Sequence, residues 1–193
     1  MNRKILSSLS LFLIGFLTFS SSVWCGEVQT ITLGGKPLTL MGEKLQTGKM
    51  LPTVLLPDLG LNMVDLQSFK GKVTLLSVVP SLDTPTCDKQ THILSEENKG
   101  LDKIANLITI SRDLPFAQKR FATKTKIQNI TFLSDYRDAQ FGKSTGLLIE
   151  ENRLLARAII ILDPEGTVRY LEIVSELSKL PDMEKAMEFA RSL

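Results

Sequence analysis

Short apolar runs and alternations recur along the chain, and turns rich in polar residues, Gly or Pro separate them. Alternating positions on either side of Gly34-Gly35-Lys36 are typical of two strands joined by a tight hairpin turn. A second turn, Asp163-Pro164-Glu165-Gly166, separates two apolar runs near the C-terminus. The pattern predicts strands at 28–33, 37–40, 73–79, 106–111, 130–133, 154–162 and 167–174.

Helical patterns lie between and after these strands. They predict helices over 85–104, 115–125 and 183–193. Strands that alternate with helices, followed by a terminal hairpin and helix, are typical of the α/β class. We find no repeat or linker in the sequence after the N-terminal segment, so the pattern predicts one domain with a sizeable core.

The first 25 residues differ from the rest. Asn2-Arg3-Lys4 is a short basic segment, residues 5–19 are almost all apolar or small, and small residues follow near 20–26. This order is typical of a secretory signal peptide. We therefore expect residues 1–25 to be removed, and residues 26–193 to form an exported, periplasmic domain without a membrane span. The alternative is a retained anchor, because the apolar run approaches the roughly 20 residues that a span needs.

Cys25 lies at the end of this segment, and its fate depends on the cleavage site. A cut after Cys25 removes it, whereas an earlier cut among the serines leaves it on the mature chain. Lipid modification of Cys25 is disfavoured, because Trp24 is bulky where that processing normally needs a small residue.

Charge and histidine content exclude several classes of protein. Removing residues 1–25 takes away Arg3 and Lys4 and no acidic residue, which leaves 21 basic residues against 21 acidic ones. A neutral domain has no electrostatic footprint for nucleic acid. His92 is the only histidine, and the sequence has no spacing of ligands typical of a zinc site. We expect neither a metal nor a cofactor.

Cys87 is the strongest candidate for chemistry. It follows the predicted strand at 73–79 and falls in the first turn of a helix, where Thr84 is placed to cap and Pro85 suits the first position. The N-terminal end of a helix favours an anion, and a thiolate there is a nucleophile. The alternative is a small apolar residue in the core. His92 lies about 140° around the helix from Cys87 and is a poor partner for the thiol.

Four segments of the chain resemble the peroxiredoxins. Pro80-x-x-x-Thr84-x-x-Cys87 is similar to their peroxidatic motif, and the run at 81–87 resembles the atypical thiol peroxidase subfamily in particular. The other similar segments are Ser111-Arg112-Asp113-Leu114-Pro115-Phe116-Ala117-Gln118-Lys119-Arg120-Phe121, Ser134-Asp135-Tyr136-Arg137-Asp138-Ala139-Gln140-Phe141 and Leu155-Ala156-Arg157-Ala158. The resemblance covers residues 28–190 with these segments in the expected order.

This resemblance implies a thioredoxin-like fold, a homodimer and a set of site residues. Cys87 would be the peroxidatic cysteine that attacks hydrogen peroxide or a small organic hydroperoxide. Thr84 would hydrogen-bond the sulfur and the peroxide, and Arg157 would hold both with its guanidinium group. Pro80 would shield the pocket from water.

The chain departs from the subfamily at the resolving cysteine, whose usual position holds Ala122. The subfamily's intramolecular disulfide therefore cannot form, and we expect a one-cysteine mechanism. A small thiol or a thioredoxin-like protein would then reduce the sulfenic acid. A disulfide between two Cys87 residues, or one to a retained Cys25, is the alternative.

Two other functions stay open. The first is a non-enzymatic redox sensor, in which oxidation of Cys87 alters a partner contact. The second is a thiol–disulfide oxidoreductase on the same fold, although that chemistry usually uses Cys-x-x-Cys and Thr84 occupies the first of those positions.

Overall fold

The computed structural model describes residues 29–193. In chain order the strands are β1 Thr30–Leu33, β2 Lys36–Met41, β3 Leu55–Pro57, β4 Met63–Asp65, β5 Thr74–Val78, β6 Asn106–Ser111, β7 Thr131–Ser134, β8 Leu148–Ile149, β9 Ala158–Leu162 and β10 Val168–Ile173. The helices are α1 Pro85–Glu96, α2 Leu101–Ile104, α3 Pro115–Thr125, α4 Gln140–Thr145 and α5 Met183–Arg191, with a 3₁₀ helix at Leu66–Phe69. The predicted α/β class is confirmed.

A five-stranded sheet in the order β10-β9-β5-β6-β7 organises the fold. Strands β5, β6 and β7 run parallel, whereas β9 is antiparallel to both β5 and β10. Because side chains alternate between the faces of a strand, β5 contributes Leu75 to one apolar cluster and Leu76 to the other. Both faces of the sheet are therefore covered. The cluster that contains Leu75 also contains Cys87.

The predicted hairpins form. Gly34 and Gly35 have φ of 58° and 78°, and these left-handed values suit the tight turn between β1 and β2. Between β9 and β10, the Asp163 carboxylate accepts a hydrogen bond from the Thr167 amide at 2.8 Å and stabilises the second turn. The strand predicted at 154–162 begins only at Ala158.

The prediction of a single helix over 85–104 is wrong, because this segment forms two helices, α1 and α2, with a turn between them. The buried Asn98 amide donates to the Leu94 and Ser95 carbonyls at 3.1 and 2.7 Å, which satisfies groups at the end of α1. Lys99 and Gly100 then take φ of 50° and 84°. These left-handed residues end one helix before the next begins.

Glu176 fastens the N-terminal hairpin to the segment that follows β10. Its carboxylate accepts hydrogen bonds from Ser178 Oγ and Thr32 Oγ1, both at 2.8 Å, and from the Gly34 amide at 3.0 Å. These hydrogen bonds, chiefly those from Ser178 and Thr32, lower the pKa of Glu176 from 4.5 to about 2. The ionised carboxylate thus stabilises the hairpin.

Replacing Glu176 by Gln is expected to lower the urea midpoint at pH 6, since a neutral amide accepts these hydrogen bonds less strongly. Folding lowers the pKa of this carboxylate, so its contribution to the free energy of unfolding is complete above the unfolded pKa, which is near 4.5. That contribution is lost as the pH falls toward 2. The difference between the wild type and the variant should therefore shrink between pH 6 and pH 3. Glu165→Gln, at an exposed position in the β9–β10 turn, is the control. Parallel pH profiles for Glu176→Gln and the wild type would contradict this role.

Candidate functional site

The site forms where β5 and β9 lie side by side. Val78 at the end of β5 pairs with Ala158 at the start of β9, so Arg157 lies beside the point where the chain leaves β5. The chain then turns through Pro80 and Thr84 into α1. The antiparallel pairing of β5 with β9 thus brings Arg157 to Cys87, which is 70 positions earlier in the sequence.

Cys87 lies in the first turn of α1 and is fully buried. Thr84 is the residue before the helix and has extended backbone geometry, but its side chain makes no capping hydrogen bond. The expectation that Thr84 caps α1 with its hydroxyl is therefore wrong. Instead, Thr84 Oγ1 lies 2.9 Å from Cys87 Sγ and 3.0 Å from the Ser81 carbonyl oxygen.

The Thr84 hydroxyl carries one proton, so it can serve Cys87 in two ways. With a neutral thiol, the hydroxyl can donate to the Ser81 carbonyl and accept the S–H. With a thiolate, the hydroxyl can turn its proton to the sulfur. The arrangement therefore accommodates the anionic sulfur without movement of the chain.

Arg157 lies directly before β9, and its side chain reaches the Cys87 sulfur from that strand. Arg157 is 2% exposed. Nη2 donates to Cys87 Sγ at 3.5 Å, Nη1 to Gln90 Oε1 at 2.8 Å and Nε to the Leu177 carbonyl at 3.0 Å. Among residues 29–193 no carboxylate lies within ion-pair distance of this guanidinium group. A buried cation needs a compensating anion, and a Cys87 thiolate would supply it.

Pro80 is buried two residues after the end of β5, in the segment that leads to Thr84. Its shielding of the sulfur stays a prediction. Motif matching thus named four residues, and the structure brings Thr84, Cys87 and Arg157 into contact.

Gln90 is a site residue that the sequence reasoning missed. It is fully buried, accepts from Arg157, and donates through Nε2 to Ser77 Oγ at 2.9 Å. Gln90 thereby fixes the guanidinium plane between α1 and β5. The spacing from Cys87 was an available signal, since residues three apart share a helix face.

Asp113 is the second residue that was missed, although the quoted motif at 111–121 contains it. Its carboxylate accepts from Ser81 Oγ at 2.7 Å, the Leu82 amide at 2.8 Å and Ser111 Oγ at 2.8 Å. Asp113 therefore connects the end of β6 to the loop that contains Thr84. It acts on Cys87 only through this loop.

Replacing Asp113 by Asn is expected to slow the oxidation of Cys87 by peroxide about tenfold. One carboxylate oxygen becomes an NH₂ donor, so donors such as the Leu82 amide lose their acceptor, a cost of about 1–3 kcal/mol. Quenched-flow mass spectrometry measures this rate, and exposed Asp138→Asn is the control. An unchanged oxidation rate would contradict the role of Asp113 in positioning Thr84. So would an equal fall in the rate at which Cys87 reacts with an uncharged alkylating reagent.

His92 takes no part in the site. Its Nε2 lies 3.2 Å from an Asp88 oxygen and its Nδ1 lies 2.7 Å from a Glu96 oxygen, along the outer side of α1. The prediction that His92 is a helix-side residue and not a partner of Cys87 is confirmed.

The part of the chain that the structure describes holds one thiol, Cys87. Ala122 is buried in α3 and belongs to the same apolar cluster as Cys87. Cys25 and the predicted signal peptide lie outside the described residues. Within 29–193 there is no group of three or more His, Cys, Asp or Glu side chains that could hold a metal ion. No helix in that range is long and apolar enough to cross a membrane.

The redoxin family model matches residues 46–187. The chain belongs to the redoxin family. Its relatives include the thiol peroxidase of Halalkalibacterium halodurans, 47% identical over 165 residues, and that of Staphylococcus saprophyticus, 44% identical over 163 residues. Each alignment covers 84% of this chain and 98% of the relative.

Solved structures give the same assignment. A peroxiredoxin-like protein from Aquifex aeolicus superimposes with a TM-score of 0.79 at 35% identity, covering 84% of this chain and 96% of that one. A thiol peroxidase from Chromobacterium violaceum gives 0.73 at 25% identity, with coverage of 84% and 95%. The predicted resemblance to the thiol peroxidase subfamily of the peroxiredoxins and the thioredoxin-like fold are confirmed.

Proposed function

We propose that this protein is a thiol peroxidase that reduces hydrogen peroxide and small organic hydroperoxides with Cys87 as its only redox-active cysteine. The observation that carries the proposal is the convergence of Thr84 Oγ1 and Arg157 Nη2 on a buried Cys87 Sγ. Membership of the family and the names of the relatives support the same activity.

The oxidative step transfers one oxygen atom. The Cys87 thiolate attacks one peroxide oxygen, an S–O bond forms and the O–O bond breaks. The sulfur is oxidised to a sulfenic acid, and the other oxygen leaves as water or an alcohol once protonated. Fixed donors aimed at the reacting atoms stabilise the charge that develops during O–O cleavage. Thr84 Oγ1 and Arg157 Nη2 are placed for this, with Arg157 oriented by Gln90.

Peroxide reaches the sulfur beside Thr84, which is exposed although Cys87 is not. In the first turn of α1, Cys87 is fully buried and Thr86 is half-buried. Thr86 Oγ1 makes a long hydrogen bond of 3.4 Å to the Ser178 carbonyl. Because Cys87 is fully buried, a reductant would reach the sulfenic acid only when this turn opens locally.

The reductive step needs a thiol from outside the described chain. Ala122 occupies the position expected to hold the resolving cysteine, so an external small thiol or thioredoxin-like protein reduces the sulfenic acid. A redox sensor is the second candidate, and the single thiol of the described residues favours it, because a sensor need not complete a cycle. A Cys-x-x-Cys type of disulfide exchange is disfavoured by Thr84, whose hydroxyl contacts the sulfur.

Turnover distinguishes the peroxidase from the sensor. With excess reductant, a peroxidase consumes many equivalents of peroxide per protein, and without reductant it consumes about one. A sensor consumes about one equivalent in both conditions. Consumption that stops at one equivalent with each of several small thiols and with thioredoxin would overturn the proposal.

Export to the periplasm and homodimer formation are further parts of the proposal. The basic, apolar and small-residue order of residues 1–25 supports export and cleavage. The resemblance to the subfamily supports the homodimer. N-terminal sequencing of the protein from a periplasmic extract tests the first, and sedimentation equilibrium tests the second.

A further inference from the structure

A groove with a volume of about 920 Å³ lies between α1 and α3, beside the turn that carries Cys87. Thr84 lines the groove, and Phe121 of α3 contributes an aromatic surface. The volume is in the range of small-ligand sites, about 300–1,000 Å³. The groove therefore has room for a small molecule.

The two sides of the groove carry opposite charges. Asp83 and Asp88 line it on the α1 side, whereas Arg120 and Lys124 line it from α3. Arg120 and Lys124 are four residues apart and so share a helix face. In the described chain no ion pair joins the two sides, and Asp88 pairs only with His92 on its own helix. Asp83, Arg120 and Lys124 therefore have no ion-pair partner within the described residues, and Asp88 shares its carboxylate with His92, which also lines the groove.

The groove also lies next to the position that holds the resolving cysteine in the subfamily. Ala122 stands at the position expected to hold the resolving cysteine and directly follows the groove residue Phe121. The described chain offers no second thiol. A reductant seated in this groove would lie next to the turn that must open to expose Cys87.

We propose that the groove binds the external reductant and that this reductant is a small zwitterionic thiol, with carboxylate and ammonium groups on the same molecule. The inference rests on the proposed function and specifies its second substrate. Carboxylates of the ligand pair with Arg120 and Lys124, and its ammonium pairs with Asp83 and Asp88.

The reduction balances with two molecules of thiol. The first thiol attacks Cys87 Sγ of the sulfenic acid, an S–S bond forms, the S–O bond breaks, and the oxygen leaves as water. The second attacks the ligand sulfur of this mixed disulfide and releases the Cys87 thiolate. Two thiols are thus oxidised to one disulfide for each peroxide reduced.

The test compares glutathione, which carries both charges, with uncharged 2-mercaptoethanol. Protein oxidised with one equivalent of peroxide is mixed with each thiol, and loss of the sulfenic acid is followed by mass spectrometry. The double variant Arg120→Gln/Lys124→Gln should slow reduction by glutathione about five- to tenfold, as expected for two exposed ion pairs. It should leave reduction by 2-mercaptoethanol unchanged. Lys119→Gln, on the same helix but outside the groove, is the control.

Equal effects on the two thiols, or no effect on either, would overturn the inference. So would faster reduction by thioredoxin than by glutathione at equal concentration. Failure of the proposed function is seen separately, as the absence of sulfenic acid after peroxide.

Binding of the non-reducing analogue S-methylglutathione, followed by amide chemical shifts, tests the groove without any turnover. The shifts should lie in α1 and α3 and be lost in the double variant.

Discussion

Replacing Cys87 by Ser is expected to reduce thiol-dependent peroxide consumption to the rate of the protein-free mixture. A serine hydroxyl is nearly the same size, but it is neither ionised at neutral pH nor oxidised to a species that a thiol can reduce. The described chain has no other thiol that could substitute. The loss should therefore be complete and not partial. Peroxide consumption is measured with a saturating small thiol.

The Cys87→Ser variant should keep the fold, because the buried site changes by one atom. Its thermal unfolding transition checks this. Cys25→Ser is the matched control, since it removes the other cysteine of the chain, and it should retain full activity. Measurable turnover by Cys87→Ser, or loss of turnover in Cys25→Ser, would refute the assignment of the reaction to Cys87 alone.

Replacing Arg157 by Ala is expected to slow the reaction of Cys87 with peroxide by about 10²–10³-fold, the usual effect of removing one fixed donor from a site of charge development. The change removes the hydrogen bond from Nη2 to the sulfur and leaves Gln90 Oε1 and the Leu177 carbonyl without their donor. Single-turnover oxidation of the reduced protein, quenched and analysed by mass spectrometry, gives this rate directly.

Because Arg157 is buried, its loss also lowers stability, so the rate is measured only where the variant remains folded. Arg157→Lys separates charge from geometry. Lysine keeps the positive charge but cannot serve the sulfur, Gln90 and Leu177 together, and an intermediate rate is expected. Arg169→Ala, at a half-exposed strand position that pairs with Asp163, is the control. A wild-type oxidation rate in folded Arg157→Ala would remove Arg157 from the site.

The local pattern was enough to predict much of the sheet. The turn at Gly34-Gly35 needs left-handed residues, and the run at 73–79 is apolar on both faces because the strand is buried on both. The break between α1 and α2 was not predicted, because Asn98 ends α1 through hydrogen bonds that only the folded helix makes available. The strands β3, β4 and β8 and the short helix α4 were also missed. They are only two to six residues long, too short for a periodic pattern.

The candidate site depended on two kinds of information. The placement of Cys87 after a strand and at a helix start followed from local sequence, with Thr84 and Pro85 as signals. Arg157 could be named only through family resemblance, since the pairing of β5 with β9 brings it to the sulfur. Gln90 and Asp113 act through side-chain hydrogen bonds to distant segments. The spacing from Cys87 indicated Gln90 and the motif contained Asp113, but neither signal identifies the distant partners.

The intact mass of the exported protein, recorded without reductant before and after one equivalent of hydrogen peroxide, tests the one-cysteine mechanism most directly. The mechanism predicts a monomeric chain that gains one oxygen atom, with the added mass on the peptide that contains Cys87. A loss of two hydrogens, or a covalent dimer, would reveal a disulfide and contradict the one-cysteine mechanism.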